Sequence, residues 1–476
     1  MSRAAAAADG GGTGLKQRGP FAGGAALALA AILGSAAIGA AGCRRTVVSP
    51  APRNVVVVLV DTLRADHLPL YGYRRDTSPH LSALARDGVL FTDVRSQAGC
   101  TYPSVDSLLT SRHPYLFLAP GGQGMGIPPG VPALPELLAA KGWDTAAVSA
   151  SLIVRKSPSR INPTGGFGRG FRAFDERCRE DDGRCVNRRA LALLAGLREP
   201  FFLYLHYLEP HQPYRPPRGE RPRFAARTAA WPRWVRRGDP WPIVHGIYRG
   251  AGVRSFATED ARHLTDLYDE EIASFDDRLG ELLAALDDDG RLDRTVIVVL
   301  SDHGEELLDH GHWGHCRSLA FDTLLATPLV LRVPGMRGGL VRHAPVANLD
   351  LVPTLLDYVG LPWREEGFDG TSLRPVIERD QAVHRYRFAL QGTVRVVDDG
   401  RYKLMLDLEG GDVRLFDLRA DPGERRDLSR ERPDLLATYR RAVERWVAAE
   451  EGLGSRAESL RRARESEAQL RAVGYL

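Results

Sequence analysis

The stretch Asn54–Val60, NVVVVLV, has no polar position after its first residue, and most of its side chains are β-branched. Such a run predicts a strand covered on both faces, as in a largely parallel sheet. The pattern returns at Phe201–Leu208 (FFLYLHYL), Thr295–Ser301 (TVIVVLS) and Pro328–Val333 (PLVLRV). Between these runs the period lengthens. Pro132–Gly142 and Leu264–Gly290 carry helical spacing; in the second, Leu264, Leu267, Tyr268, Ile272, Phe275, Leu279, Leu282, Leu283 and Leu286 make one apolar stripe. Strands alternating with helices predict a layered α/β domain. Ligands of such sheets sit at the carboxyl ends of the strands.

The texture changes near Val383. FALQGTVRVVDDG, RYKLMLDL and DVRLFDL read as antiparallel strands, and PDLLATYRRAVERWVAAEE reads as a helix. The expected layout is therefore a segment 1–50, an α/β body 51–382, a small C-terminal α+β subdomain 383–452 and a charged helical tail 453–476. Within the body, 215–249 is dense in Arg, Pro and Trp without periodicity. It reads either as an irregular surface excursion or as a lid over an anionic or ring-bearing substrate.

The first fifty residues differ in kind. Positive charge in GLKQRGP precedes Phe21–Gly42, which carries no charge and ends in AAGC, similar to a bacterial lipobox with Cys43 as the lipidated residue. This predicts an export signal or an N-terminal anchor. Either places the body outside the cytoplasm, in the periplasm or cell envelope, with membrane association through the N-terminus.

Composition narrows the partners. Of 476 residues, 43% are hydrophobic and 26% charged, enough for a sizeable core, and the net charge of +4 is a small difference between 64 basic and 60 acidic residues. No nucleic-acid partner is expected. In an oxidising compartment Cys178 and Cys185, flanking a polar loop, predict a local disulfide. Whether Cys100 and Cys316 pair stays open at this level.

Two strand tips carry acid. Asp61 ends the first strand, and Asp302 with His303 follows TVIVVLS. A carboxylate at a buried strand tip is costly unless it is paired or bound to a cation. Asp61, Asp302 and His303 at one sheet edge therefore predict a divalent metal site, with Zn²⁺ or Mn²⁺ favoured by the imidazole and Ca²⁺ the alternative. In SQAGCTYPSVDSLLTS, Cys100 and Thr101 are adjacent candidate nucleophiles. Pro103 predicts a helix beginning beside Thr101, whose hydroxyl then faces the amide-rich helix end and a metal that lowers its pKa. His206 and His211 in HYLEPHQPY, and His310, His312 and His315 in HGHWGHC, supply imidazoles for leaving-group protonation or charge stabilisation.

These residues carry a family resemblance. VLVDTLRADHLPLYGYRRDTSPHLSALARDGVLFTD is similar to the N-terminal signature of sulfatase-like hydrolases in the alkaline phosphatase superfamily. The likeness continues through YDEEIASFDDRLGELL, SDHGEELLDHGHWGH, TPLVLRVPG and LDLVPTLLDYVGLP into the C-terminal subdomain. It implies an alkaline-phosphatase-like doubly wound α/β sandwich with metal at its strand tips. By the same resemblance Asp61, Thr101, Asp302 and His303 fall at metal-ligand positions, Thr101 at the nucleophile, and His211 and His315 at positions that grip the ester or assist its departure.

Three departures separate the chain from sulfatases proper. Their C-x-P-x-R motif, whose Cys becomes formylglycine, has Thr101 in the Cys slot and Val105 in the Arg slot, with Cys100 one residue early. The paired acids of the first strand tip are Asp61-Thr62. WDTAAVSASLIV lacks the Lys-Trp-His run that holds sulfate. The expectation is an exported metal-dependent hydrolase of phosphate or phosphonate esters, or a phosphoryl transferase, acting on a small-molecule or glycan- or lipid-linked anionic ester. A sulfuric ester hydrolase and a non-catalytic binder of the same fold are the alternatives.

Overall fold

The computed structural model describes residues 52–451, apart from 118–125, 128–129, 160–161, 163–164, 179–182, 217–221, 226–257 and 317–319. The N-terminal segment, nearly all of 215–249 and the tail 453–476 lie outside the described residues.

Eight strands form the main sheet: β1 (Asn54–Val60), β2 (Val89–Phe91), β4 (Asp144–Ser149), β5 (Ala173–Asp175), β6 (Phe201–Tyr207), β7 (Thr295–Ser301), β10 (Leu329–Arg332) and β11 (Leu340–Arg342). Their order is β11-β2-β10-β7-β1-β6-β4-β5. Every pairing is parallel except those of β10 with β7 and β2. The reversed strand β10 lies within the Pro328–Val333 run, in a sheet that is largely parallel as expected. An apolar run reports burial on both faces but carries no information about direction, so periodicity was blind to the reversal.

The alternation of side chains across β1 divides the core in two. Val55, Val57 and Leu59 pack with helices α2 (Thr101–Thr110), α3 (Leu134–Ala139), α7 (Leu351–Tyr358) and α8 (Arg374–Arg379). Val56, Val58 and Val60 face α1 (Pro79–Arg86), α4 (Gly183–Leu194) and the long α5 (Thr258–Asp288). The stripe read from the sequence of α5 is the face that meets the sheet. Helices therefore cover both faces of a mixed, mostly parallel sheet, the doubly wound sandwich expected.

A second sheet is antiparallel and sequential: β13 (Arg387–Gln391), β14 (Val394–Asp398), β15 (Tyr402–Asp407) and β16 (Val413–Asp417), packed against α9 (Pro433–Glu451). Short pairs complete the chain, β3 (Val94–Arg95) with β12 (Val346–Ala347) and β8 (Glu306–Leu307) with β9 (Trp313–Gly314), together with the four-residue α6 (Asp322–Leu325). Buried charges tie the second sheet to the body. Lys403 Nζ lies 2.7 Å from Asp322 and 2.9 Å from Glu424, and Arg95 reaches Asp322 at 2.6 Å. Each charge has an opposite partner, which is the condition for tolerating it out of water. The backbone is joined too, because the Leu390 amide donates to Gln97 O and Ala98 bridges Leu390.

Candidate active site

Register brings the acids together. Val60 lies opposite Ser301 on one side and Tyr207 on the other, so Asp61 and Asp302 leave the sheet side by side at the carboxyl edge. Asp61, Asp302 and His303 are fully buried, and a ligand atom from each lies within 4.8 Å of the others. One oxygen of each carboxylate is spoken for. Asp302 Oδ1 accepts from the amides of Thr62 (3.3 Å) and His303 (2.9 Å), and Asp61 Oδ2 accepts from His206 Nε2 at 3.2 Å. Asp61 Oδ1 and Asp302 Oδ2 are buried without a hydrogen-bond partner. Two converging carboxylate oxygens and an imidazole, sealed from water, fit a divalent cation and are otherwise costly.

The electrostatics agree. Burial pushes the Asp302 carboxyl up to about 6, aided by the charge of Asp61. Burial acts on Asp61 in the same sense, but the hydrogen bond from His206 and the fields of His211, His206 and His303 outweigh it and hold that carboxyl well below its usual range. His303, penalised by burial, is raised on balance by Asp302 and Asp61. A cation would take over the role these imidazoles play for the two acids.

Thr101 is the first residue of α2, with Cys100 as the extended N-cap residue and Pro103 in the first turn. Its Oγ1 lies 3.2 Å from His303 Nε2. Three imidazoles gather here, with ring centroids 4.7 Å apart for His303–His315 and 4.8 Å for His211–His315. Each is anchored through Nδ1: His303 donates to Gly304 O at 2.9 Å, His211 to Gln212 O, and His315 to Glu305 Oε1 at 2.7 Å. The anchors set the tautomer, with the proton on Nδ1 of each ring. Burial lowers His211 to about 4, so it is neutral at pH 7. His211, at 9% exposure the most accessible of the three, marks the solvent side of the site.

The structure thus brings together six of the residues singled out in the sequence: Asp61, Thr101, His211, Asp302, His303 and His315. It does not recruit His310, whose ring stacks on Phe321 at 3.6 Å and bonds Glu306 at 2.8 Å. His312 lies partly buried in the turn between β8 and β9. One contributor, Glu305, was missed, and His206, read among the imidazoles for the ester, serves Asp61 instead. Glu305, fully buried, holds His315 and takes a bond from Tyr214 Oη at 3.2 Å; burial pushes its carboxyl up to about 7 against the fields of His211 and His303. His206 links Asp61 to Tyr204 Oη, 3.1 Å from its Nδ1. Both residues stood inside quoted motifs, yet nothing in their spacing says which partner each would meet.

The departures also have places. Val105 is buried in the apolar core beneath α2. Thr62 has φ 55°, a left-handed conformation rare for a β-branched residue; Tyr268 Oη donates to its carbonyl at 2.7 Å. Cys178 and Cys185 form the predicted local disulfide, and Cys100 pairs with Cys316. The bridge removes Cys100 as a thiolate.

Similarity to known proteins follows the same lines. The Sulfatase family profile matches residues 53–361, and that of the N-sulphoglucosamine sulphohydrolase C-terminal region matches 309–441. Arylsulfatase K of Danio rerio is 29% identical over 269 residues, 51% of this chain and 51% of its own, so the chain spans about half the length of that relative. Arylsulfatase A of Homo sapiens is 27% identical over 356 residues, 68% of each chain. Among solved structures, a 2-O GAG sulfatase shares the fold with TM-score 0.68 at 20% identity, covering 84% of this chain and 93% of the other. The phosphonate monoester hydrolase of Silicibacter pomeroyi does so with TM-score 0.65 at 23% identity, covering 85% and 96%. With the Sulfatase profile spanning well over half the residues, over the sheet edge and the acids just described, this chain belongs to the sulfatase family.

Proposed function

We propose that the protein is an exported, metal-dependent ester hydrolase in which Thr101 is the nucleophile and phosphate or phosphonate esters are the preferred substrates. The observation that carries this reading is the position of Thr101 Oγ1, 3.2 Å from His303 Nε2 at the amino end of α2, while the neighbouring Cys100 is held in a disulfide. Asp61, Asp302 and His303 would hold the metal, which when bound polarises the ester and lowers the hydroxyl pKa.

In the forward step Thr101 Oγ loses its proton and bonds to phosphorus as the ester oxygen departs. The departing oxygen takes a proton from an imidazole, His315 or His211. Of the two, His211 is neutral in the free site and suits proton acceptance from Thr101 or water, which leaves His315, steadied by Glu305, to protonate the leaving group. The amides of the first turn of α2 face the developing anion. Water then attacks phosphorus and frees Thr101.

This second half favours phosphorus. Formylglycine hydrate releases sulfate by eliminating from its own hemiacetal, which a threonine ester cannot do. Attack at the central atom is the route phosphoenzymes use. The phosphonate monoester hydrolase among the fold neighbours is in keeping with this preference. Sulfate esters are the second reading, supported by the arylsulfatase names of the sequence relatives. In either case the substrate is a small or glycan- or lipid-linked anionic ester. Two disulfides suit a periplasmic or envelope location reached through the N-terminal segment.

The test is a parallel assay of p-nitrophenyl sulfate, p-nitrophenyl phosphate, bis-p-nitrophenyl phosphate and p-nitrophenyl phenylphosphonate, each with Mn²⁺, Zn²⁺ and Ca²⁺. Turnover of phosphorus esters above sulfate, abolished by Thr101→Ala, is expected. Sulfate turnover dominating, or full activity in Thr101→Ala, overturns the reading.

A further inference from the structure

The Cys100–Cys316 disulfide joins residues 216 apart in sequence, and each half-cystine is the immediate neighbour of a residue placed in the site. Cys100 precedes Thr101, and Cys316 follows His315. Both sulfurs are in the core, with Cys100 5% and Cys316 4% exposed. The bridge is reinforced by backbone, because the Cys316 amide donates to Gly99 O at 3.1 Å. Gly99 is gripped from the other side by Gln391 Oε1, which accepts its amide at 2.9 Å. Cys316 is held at φ 59°, a conformation that a residue with a Cβ rarely keeps without support.

We propose that this disulfide is a positioning element of the catalytic site: it holds the Thr101 hydroxyl and the His315 imidazole in register, so that turnover requires its oxidised form. The inference rests on Thr101 acting as the nucleophile. Thr101 and His315 come from different loops, one opening α2 and one following β9, and the pairing of the strands does not fix the distance between those loops. The bridge and the Gly99–Cys316 hydrogen bond do. An ångström of slack between nucleophile and proton donor is enough to lower turnover by orders of magnitude while leaving substrate binding nearly intact. Asp61, Asp302 and His303, which follow β1 and β7, lie outside the clamp. Reduction by a dithiol breaks the Cys100–Cys316 S–S bond, each cysteine sulfur gaining one electron and one proton, while the dithiol is oxidised to its own disulfide. The left-handed backbone at Cys316 then keeps only its hydrogen bond to Gly99, which loosens the hold on His315 beside it.

The experiment compares the full chain with Cys100→Ser/Cys316→Ser and, as a control, Cys178→Ser/Cys185→Ser, whose bridge lies at the start of α4. Metal content, melting temperature, kcat and KM are measured for each on the best phosphorus ester. The expected result is a kcat lower by at least about 10-fold in the first double variant, with KM within about twofold, metal content unchanged and the control retaining kcat. Wild-type kcat in a folded Cys100→Ser/Cys316→Ser protein overturns the proposal. If that variant does not fold, dithiothreitol titration of the wild-type protein decides, with free thiols counted by alkylation and mass spectrometry. Loss of kcat in step with the reduced Cys100–Cys316 fraction supports it; full kcat in the reduced fraction overturns it. A wild-type protein inactive on every ester would instead overturn the functional reading itself, before the bridge is tested.

Discussion

Glu305 Oε1 accepts a 2.7 Å hydrogen bond from His315 Nδ1, with both residues buried. A carboxylate on the far nitrogen of a catalytic imidazole fixes its tautomer and steadies the imidazolium that forms during proton transfer. Glu305→Gln keeps the shape and removes the charge. It should lower kcat by about 10–100-fold, as loss of such supporting partners typically does, while KM changes little. Steady-state kinetics on a phosphodiester checks this; an unchanged kcat would show that Glu305 is only packing.

Metal binding is predicted to depend on the acid and imidazole that follow β7. Elemental analysis of the wild-type protein should find at least one divalent ion per chain. Asp302→Ala combined with His303→Ala removes a carboxylate oxygen and the imidazole nitrogen of the cluster, and should abolish both the metal and activity. Ions retained at the wild-type level by a folded double variant would move the site elsewhere.

Asp106, in the middle of α2, is fully buried with both carboxylate oxygens lacking a hydrogen-bond partner. Burial pushes its carboxyl well above the normal value. The folded state therefore binds the proton more tightly than the unfolded chain does, and the cost of Asp106 grows as pH rises above the unfolded pKa. Asp106→Leu should stabilise the protein at pH 8 by about 1–3 kcal/mol, the scale of an unpaired buried polar group, and by less at pH 4. Urea unfolding at the two pH values provides the comparison. A destabilised variant at pH 8 would reveal a partner or role for this carboxyl.

His384 Nε2 lies 2.8 Å from Asp350, which also accepts the amides of Ala347 and Thr371 at 2.9 Å. Burial alone would lower His384, but the Asp350 charge and hydrogen bond raise it above its ordinary value. A raised folded-state pKa means the pair contributes fully below the unfolded pKa and is lost as pH climbs through the folded one. The melting-temperature gap between wild type and His384→Ala should therefore be widest in mild acid and close towards pH 9. A gap that stays constant with pH would assign His384 to packing alone.

Much of this protein was legible in its residues. The strands Asn54–Val60 and Thr295–Ser301 and the helix Pro433–Glu451 were read with the ends the structure shows, because their periodicity is a local property of the chain. The acids at the strand tips were legible for a related reason: a carboxylate closing an apolar run has few satisfactory fates. The short strands β2, β5 and β11 were not read, since three residues hold less than two periods of any pattern.

What the tertiary structure alone decided was pairing. The direction of β10, the partner of Cys100, the carboxylate behind His315 and the imidazole behind Asp61 all join positions far apart in the chain. Residue type dictates that a buried charge or donor must be satisfied. Which distant group satisfies it depends on how the strands are ordered and the loops returned, and that is settled only when the whole sheet closes around its core.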